Sequence, residues 1–166
     1  MIYVLIANII AFIASLILIY TGYLKDKKQI LLFQIIQFIL FIISYLLLGA
    51  FTGVILNFLG IIRNTLSYFK KLSKPFIFIL SILSIIFTIK YNTFGLIGLL
   101  PLIGVILYTC FMNTENIIKF KLLIINALVL STIYDIVVMS YSSAVFNIIT
   151  IILSINAIYK IKTNLK

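Results

Sequence analysis

The lysines of this chain fall between long apolar runs, and their placement limits the possible folds more than any other feature. Lys25, Lys27 and Lys28 follow the first run, and Lys70, Lys71 and Lys74 follow the third. Lys119 and Lys121 precede the sixth, while Lys160, Lys162 and Lys166 lie at the far end. Read as membrane spans, the runs number seven, near 2–23, 29–49, 51–69, 75–90, 93–111, 119–139 and 141–160. Eleven of the twelve lysines then share one side, with Lys90 alone on the other. Positive residues are retained on the cytoplasmic side, so this asymmetry predicts an outside amino terminus and a cytoplasmic carboxyl terminus. An odd number of spans agrees with that orientation.

Composition supports the bilayer as solvent. Hydrophobic residues make up 64% and charged residues 10%, against about 45–50% and about 25% in soluble domains. The net charge of +10 sits in short clusters beside apolar runs, which suits anionic lipid headgroups. It forms no basic stripe with interleaved aromatics, so nucleic acid is not an expected partner. The first 23 residues lack a basic leader and a small-x-small cleavage site, which predicts a retained span. With no histidine and a single cysteine, Cys110, zinc sites and intrachain disulfides are not expected. Asp26, Glu115 and Asp135 are the only acids. Such a chain is poor in general acids and bases, so neither an enzyme nor a cofactor is expected.

Seven spans of about 20 residues nearly use up the chain, and an internal repeat organises them. Along span three, Gly53, Asn57, Gly60 and Asn64 follow a 4-3-4 spacing that places them on one helix face. Along span seven, Ser143, Asn147, Thr150 and Ser154 repeat that spacing 90 residues later. Leu18-Ile19-Tyr20-Thr21 similarly matches Ile106-Leu107-Tyr108-Thr109, and Gln37 of span two falls near Asn126 of span six. The expected fold is therefore an all-α membrane protein of two parallel three-helix repeats and a linker helix. The first unit covers 1–69, the linker 70–92 and the second unit 93–166. A pseudo-twofold along the membrane normal relates the units.

Polar stripes turn away from lipid, either for helix packing or to line a cavity between the units. Asn57 and Asn147, at matching depth, are the leading candidates for binding a solute, with Asn64 and Gln37 beside them. Arg63 and Asp135 are ionisable groups inside spans and are functional candidates for that reason. Each has a bland alternative, in which its side chain snorkels to the nearer headgroups. A rise of 1.5 Å per residue separates them by about 14–15 Å in depth, which disfavours a direct ion pair. Tyr20, Tyr45, Tyr108, Tyr134 and Tyr159 read as interfacial anchors, with Tyr20 and Tyr108 as alternative gates.

The segment Leu47-Leu48-Gly49-Ala50 through Asn57 to Arg63-Asn64, followed by Leu99-Leu100-Pro101-Leu102-Ile103-Gly104, resembles the bacterial inner-membrane protein family typified by YgjV. By architecture the chain is also similar to the wider group of PQ-loop proteins, SWEET sugar carriers and vitamin carriers. That resemblance implies a bacterial cytoplasmic membrane location and a small neutral or polar solute held between the two units. It also implies that Asn57 and Asn147 line the pocket. The chain departs from that group in lacking a Pro-Gln pair, tryptophan and all prolines except Pro75 and Pro101. A facilitative carrier is the leading expectation, on the premise that no acid lies in the pocket. The alternative is a membrane scaffold that binds a partner helix or lipid through its surface. Membrane lipid is the expected surrounding partner, and a homo-oligomer is compatible with both readings.

Overall fold

A computed structural model describes residues 2–163 of the chain, so Lys166 of the last lysine cluster lies outside the described residues. Seven α-helices are described: α1 (Ile2–Tyr23), α2 (Lys27–Leu47), α3 (Phe51–Tyr68), α4 (Lys74–Tyr91), α5 (Leu100–Phe111), α6 (Ile117–Val137) and α7 (Tyr141–Thr163). No strand occurs among the described residues. The helices begin and end where local chemistry directs. The Asp26 side chain caps α2 by accepting from Gln29 N at 3.1 Å. Asn116 caps α6 by accepting from Ile118 N at 2.9 Å and Lys119 N at 3.2 Å. Pro75 sits in the first turn of α4, where its missing N–H leaves no bond unmade.

Five helices (α1, α2, α4, α6 and α7) are long and apolar enough to cross a membrane. The other two differ for separate reasons. Helix α3 carries the polar stripe along its 18 residues. The fifth span, expected as a continuous helix from residue 93, instead opens with a 3-10 turn over Gly95–Leu99, and α5 itself has 12 residues. Pro101 starts α5 because it can occupy a first turn but not a helix interior.

Helix α1 packs on α2 and α7, α2 on α3, and α6 on both α5 and α7, while α4 lies against α3 and α5. The pattern of burial is that of a bundle in lipid. Ala7, Ala11, Ala14 and Ser15 of α1 are buried, and Ile9, Phe12, Ile13 and Leu16 face outward. Small residues let backbones approach where lipid provides no hydrophobic drive between helices. Along α7 the inward face is Ser143, Asn147, Thr150 and Ser154, as the 4-3-4 spacing predicts.

The turns α2–α3 and α6–α7 match bond for bond at an offset of 90. Leu48 N bonds Ser44 O, Gly49 N bonds Leu46 O and Ala50 N bonds Tyr45 O. Val138 N, Met139 N and Ser140 N bond Tyr134 O, Ile136 O and Asp135 O in the same way. Gly49 has φ 65° and Met139 has φ 62°, the left-handed region that terminates helices and favours glycine. At the lysine-rich end, two lysines satisfy carbonyls at helix ends. Lys27 of α2 donates to Met112 O at 2.6 Å and Thr114 O at 3.0 Å, after α5. Lys121 of α6 donates to Gly22 O at 2.8 Å, near the end of α1.

The two matched turns yield substitutions of opposite sign. Met139 is exposed, so Met139→Gly relieves a left-handed methionine and raises stability by about 1 kcal/mol. Gly49→Ala imposes a Cβ at the same conformation and lowers stability by about 1 kcal/mol. Unfolding midpoints in detergent check both signs.

Candidate functional site

A cavity of about 110 Å³ lies inside the bundle, lined from α1, α2, α3, α5, α6 and α7. Its size suits several ordered waters or a small solute, since one water needs about 10–15 Å³. Both Asn57 and Asn147 line it, as do Gln37, Arg63, Asp135 and Tyr108. Asn64 is fully buried but lies behind the wall rather than on it. Aliphatic and aromatic side chains, among them Leu18, Phe38, Phe41 and Leu56, complete the lining.

One end of the cavity is built around Asp135. Tyr45 Oη donates to its Oδ1, while Ser143 Oγ and Asn147 Nδ2 donate to Oδ2 at 2.7 and 2.8 Å. Three neutral donors from α2 and α7 thus converge on one carboxyl of α6, and Asp135 is fully buried. The expected snorkelling of Asp135 to headgroups is therefore corrected. Internal donors replace the water that the carboxyl cannot reach. Tyr45 and Tyr134, expected as interfacial anchors, are also interior. Tyr134 Oη accepts from Gly53 N at 3.2 Å, and its ring packs against Tyr45 and Phe94. Gly53 has to be glycine here, because a Cβ would stand 2.7 Å from the Tyr45 ring. Asn57 Nδ2 donates back to Gly53 O at 2.7 Å.

Arg63 occupies the other end and is 3% exposed. Its expected snorkelling is corrected too, for a comparable reason: its donors have partners inside. Nε donates to Asn64 Oδ1 at 3.1 Å and Nη1 to Thr109 Oγ1 at 3.2 Å. The guanidinium lies 4.4 Å from the Tyr108 ring centroid, in cation–π contact. Gln34 ties this group together by accepting from Asn64 Nδ2 at 2.9 Å and Tyr108 Oη at 3.0 Å. The arginine is thereby held by α3 and α5, whose partners Gln34 joins to α2. Tyr108, expected among the interfacial anchors, lies in this buried network instead.

Gln37 is buried, and its Oε1 lacks a partner among the described residues. Tyr20 is half exposed and packs edge-on against Phe33 at 4.8 Å, so it is not brought to the cavity. The inward face of α1 there is Leu18, Thr21 and Gly22, which turns Tyr20 outward. Asp135 on the wall also removes the premise of an acid-free pocket on which facilitated movement rested. Sequence reasoning missed Tyr45 and Tyr134 as site residues. The 90-residue offset aligns Tyr45 with Asp135 and offered the missing signal.

Among the described residues, no cluster of His, Cys, Asp and Glu can hold a metal ion. These features define an all-helical membrane protein with a polar interior enclosed by an apolar surface. The chain belongs to the Imp-YgjV family, described as bacterial inner membrane protein, which it matches over residues 5–164. No curated protein and no solved structure matches it.

The three donors on Asp135 set an order of losses. Tyr45→Phe removes one bond and is expected to cost about 1–3 kcal/mol. Asp135→Leu strands three buried donors together and costs more than Tyr45→Phe or Asn147→Leu alone. Thermal unfolding of the three variants in detergent checks that order.

Proposed function

We propose that the protein is a small-solute carrier whose pocket lies between two three-helix units. In this reading residues 1–69 and 93–166 form the units, α4 links them, the amino terminus is outside and the carboxyl terminus is cytoplasmic. The observation that carries it is one cavity lined by Asn57 and Asn147, together with the intramembrane ionisable residues Arg63 and Asp135. Support for the doubling comes from the matched α2–α3 and α6–α7 turns and from the reciprocal lysine contacts. Lys27 of the first unit reaches the end of α5, and Lys121 of the second reaches the end of α1. A twofold relation pairs contacts in this reciprocal manner. Carriers of repeated construction bind solute near the midplane at the repeat interface and rock one unit against the other. No catalytic role is assigned, because Asp135 is engaged by three donors and Lys121 by a backbone carbonyl.

A scaffold without transport is the second reading. It is favoured by the saturation of Asp135, which makes that end of the cavity a packing knot. Cysteine accessibility separates the two. In a Cys110→Ser background, Asn57→Cys and Asn147→Cys are expected to react with a small water-soluble thiol reagent from at least one side. Silence at both positions in intact membranes favours the scaffold. A carrier of this kind also loses solute uptake in Asn57→Leu and Asn147→Leu, and unchanged uptake in both excludes this pocket.

Energy coupling has its own test. A facilitative carrier brings solute in liposomes to the outside concentration and no further, whatever pH gradient is imposed. Accumulation beyond that level which disappears in Asp135→Asn assigns proton coupling to this carboxyl.

A further inference from the structure

Arg63 is a buried cation with no anionic partner among the described residues. Its hydrogen bonds go to the neutral side chains of Asn64 and Thr109. A charge taken out of water is costly unless an opposite charge meets it. Asp135 is not that charge, because it lies at the other end of the cavity, fully buried and already held by three donors. Stacking on Tyr108 engages only the face of the guanidinium. Of its five N–H groups, Nε and Nη1 use one each, so three stay in the plane without a protein acceptor, two of them on Nη2. Nη2 is not among the sealed polar atoms that lack a partner, so it keeps surface open to the cavity that Arg63 lines. Gly60 makes room beside it: a Cβ there would stand 3.5 Å from Nη2 and 2.9 Å from the ring of Phe38, which lines the same cavity. Unmet donors and an apolar wall thus lie side by side.

From this arrangement we infer that the cavity binds a small monocarboxylate with a short apolar tail. The inference deepens the carrier reading above and rests on it. The carboxylate supplies the anion that Arg63 lacks, and its two oxygens accept in-plane N–H groups in parallel, the pairing that guanidinium favours. The tail meets the apolar lining, which includes Phe38, Leu56 and Val105, and its burial adds to affinity. A neutral solute leaves the guanidinium charge unmatched. A dicarboxylate leaves its second charge among apolar side chains with no cation to meet it. Chloride satisfies the charge but gives up both the paired bonds and the apolar contact. A cavity of about 110 Å³ takes roughly 7–11 groups the size of a water, so a skeleton of about four carbons fits together with its carboxylate oxygens.

Equilibrium dialysis of radiolabelled butyrate at millimolar concentration against the purified full chain in detergent, with empty micelles as the blank, tests this. Butyrate is expected to be retained above the blank. Unlabelled butyrate is expected to displace the label at a concentration lower by roughly tenfold or more than butyramide, succinate or chloride requires, the scale of one lost charge-assisted bond. Butyramide keeps the shape without the charge, succinate carries a second charge, and chloride has no tail. Arg63→Gln is expected to weaken butyrate binding by a similar factor. If that variant fails to fold, the ranking of the competitors on the unaltered protein decides alone. Butyramide or succinate competing as well as butyrate overturns the single-anion site, and chloride doing so overturns the carboxylate and its tail. Undiminished binding in a folded Arg63→Gln protein overturns the role of the guanidinium. Butyrate held no better than by empty micelles overturns the monocarboxylate while thiol reactivity at positions 57 and 147 keeps the carrier reading. Silence at both of those positions removes the carrier reading itself.

Discussion

Hydrocarbon accepts no hydrogen bonds, and the rest of this architecture follows from that constraint. Every polar group within the bilayer must find its partner in the protein. The helices satisfy their own backbones, which leaves side chains and helix ends to be matched across the bundle. Asp135 does this with donors from two other helices, and Arg63 with acceptors and a ring drawn from its own helix and α5. Each charge therefore fastens helices that are distant in sequence. The polar interior is itself a large part of what orients the spans.

The same constraint operates where helices end. Lys27 and Lys121 extend long stems along apolar surface and deliver their ammonium groups to carbonyls that no further turn will use. Two of the lysines from which the sequence predicts the orientation therefore also tie the bundle together at that end. The left-handed residues Gly49 and Met139 solve the corresponding problem at the opposite end by folding the chain back onto its own carbonyls. Neither arrangement uses water from within the hydrocarbon layer.

Polar residues fasten the helices to one another, and the two ends of the cavity divide that work unequally. At the Asp135 end nearly every acceptor site is taken, so the carboxyl is well anchored and has little left to offer. At the Arg63 end the guanidinium is immobilised by stacking while in-plane donors stay free. A side chain held rigidly but not saturated is suited to ligand recognition. Gln37, buried with an unpartnered oxygen, adds a group for which packing alone gives no reason.

Much of the bundle could be read from residue order alone. Apolar runs, lysine spacing and the 4-3-4 stripes located the helices and their inward faces, because lipid enforces a strict division between outward and inward side chains. The 3-10 opening before α5 was not legible, since Gly95, Gly98 and Pro101 admit several local geometries and packing selects among them. The partners of Asp135, Arg63 and the buried tyrosines also lay beyond the sequence. A tyrosine near the end of a span suits an interface and an interior equally well by composition. Only the approach of α2, α6 and α7 puts Tyr45 on a carboxyl 90 residues away. Hydropathy is a property of each segment and can be read locally, whereas the pairing of buried polar groups depends on which helices meet and at what depth.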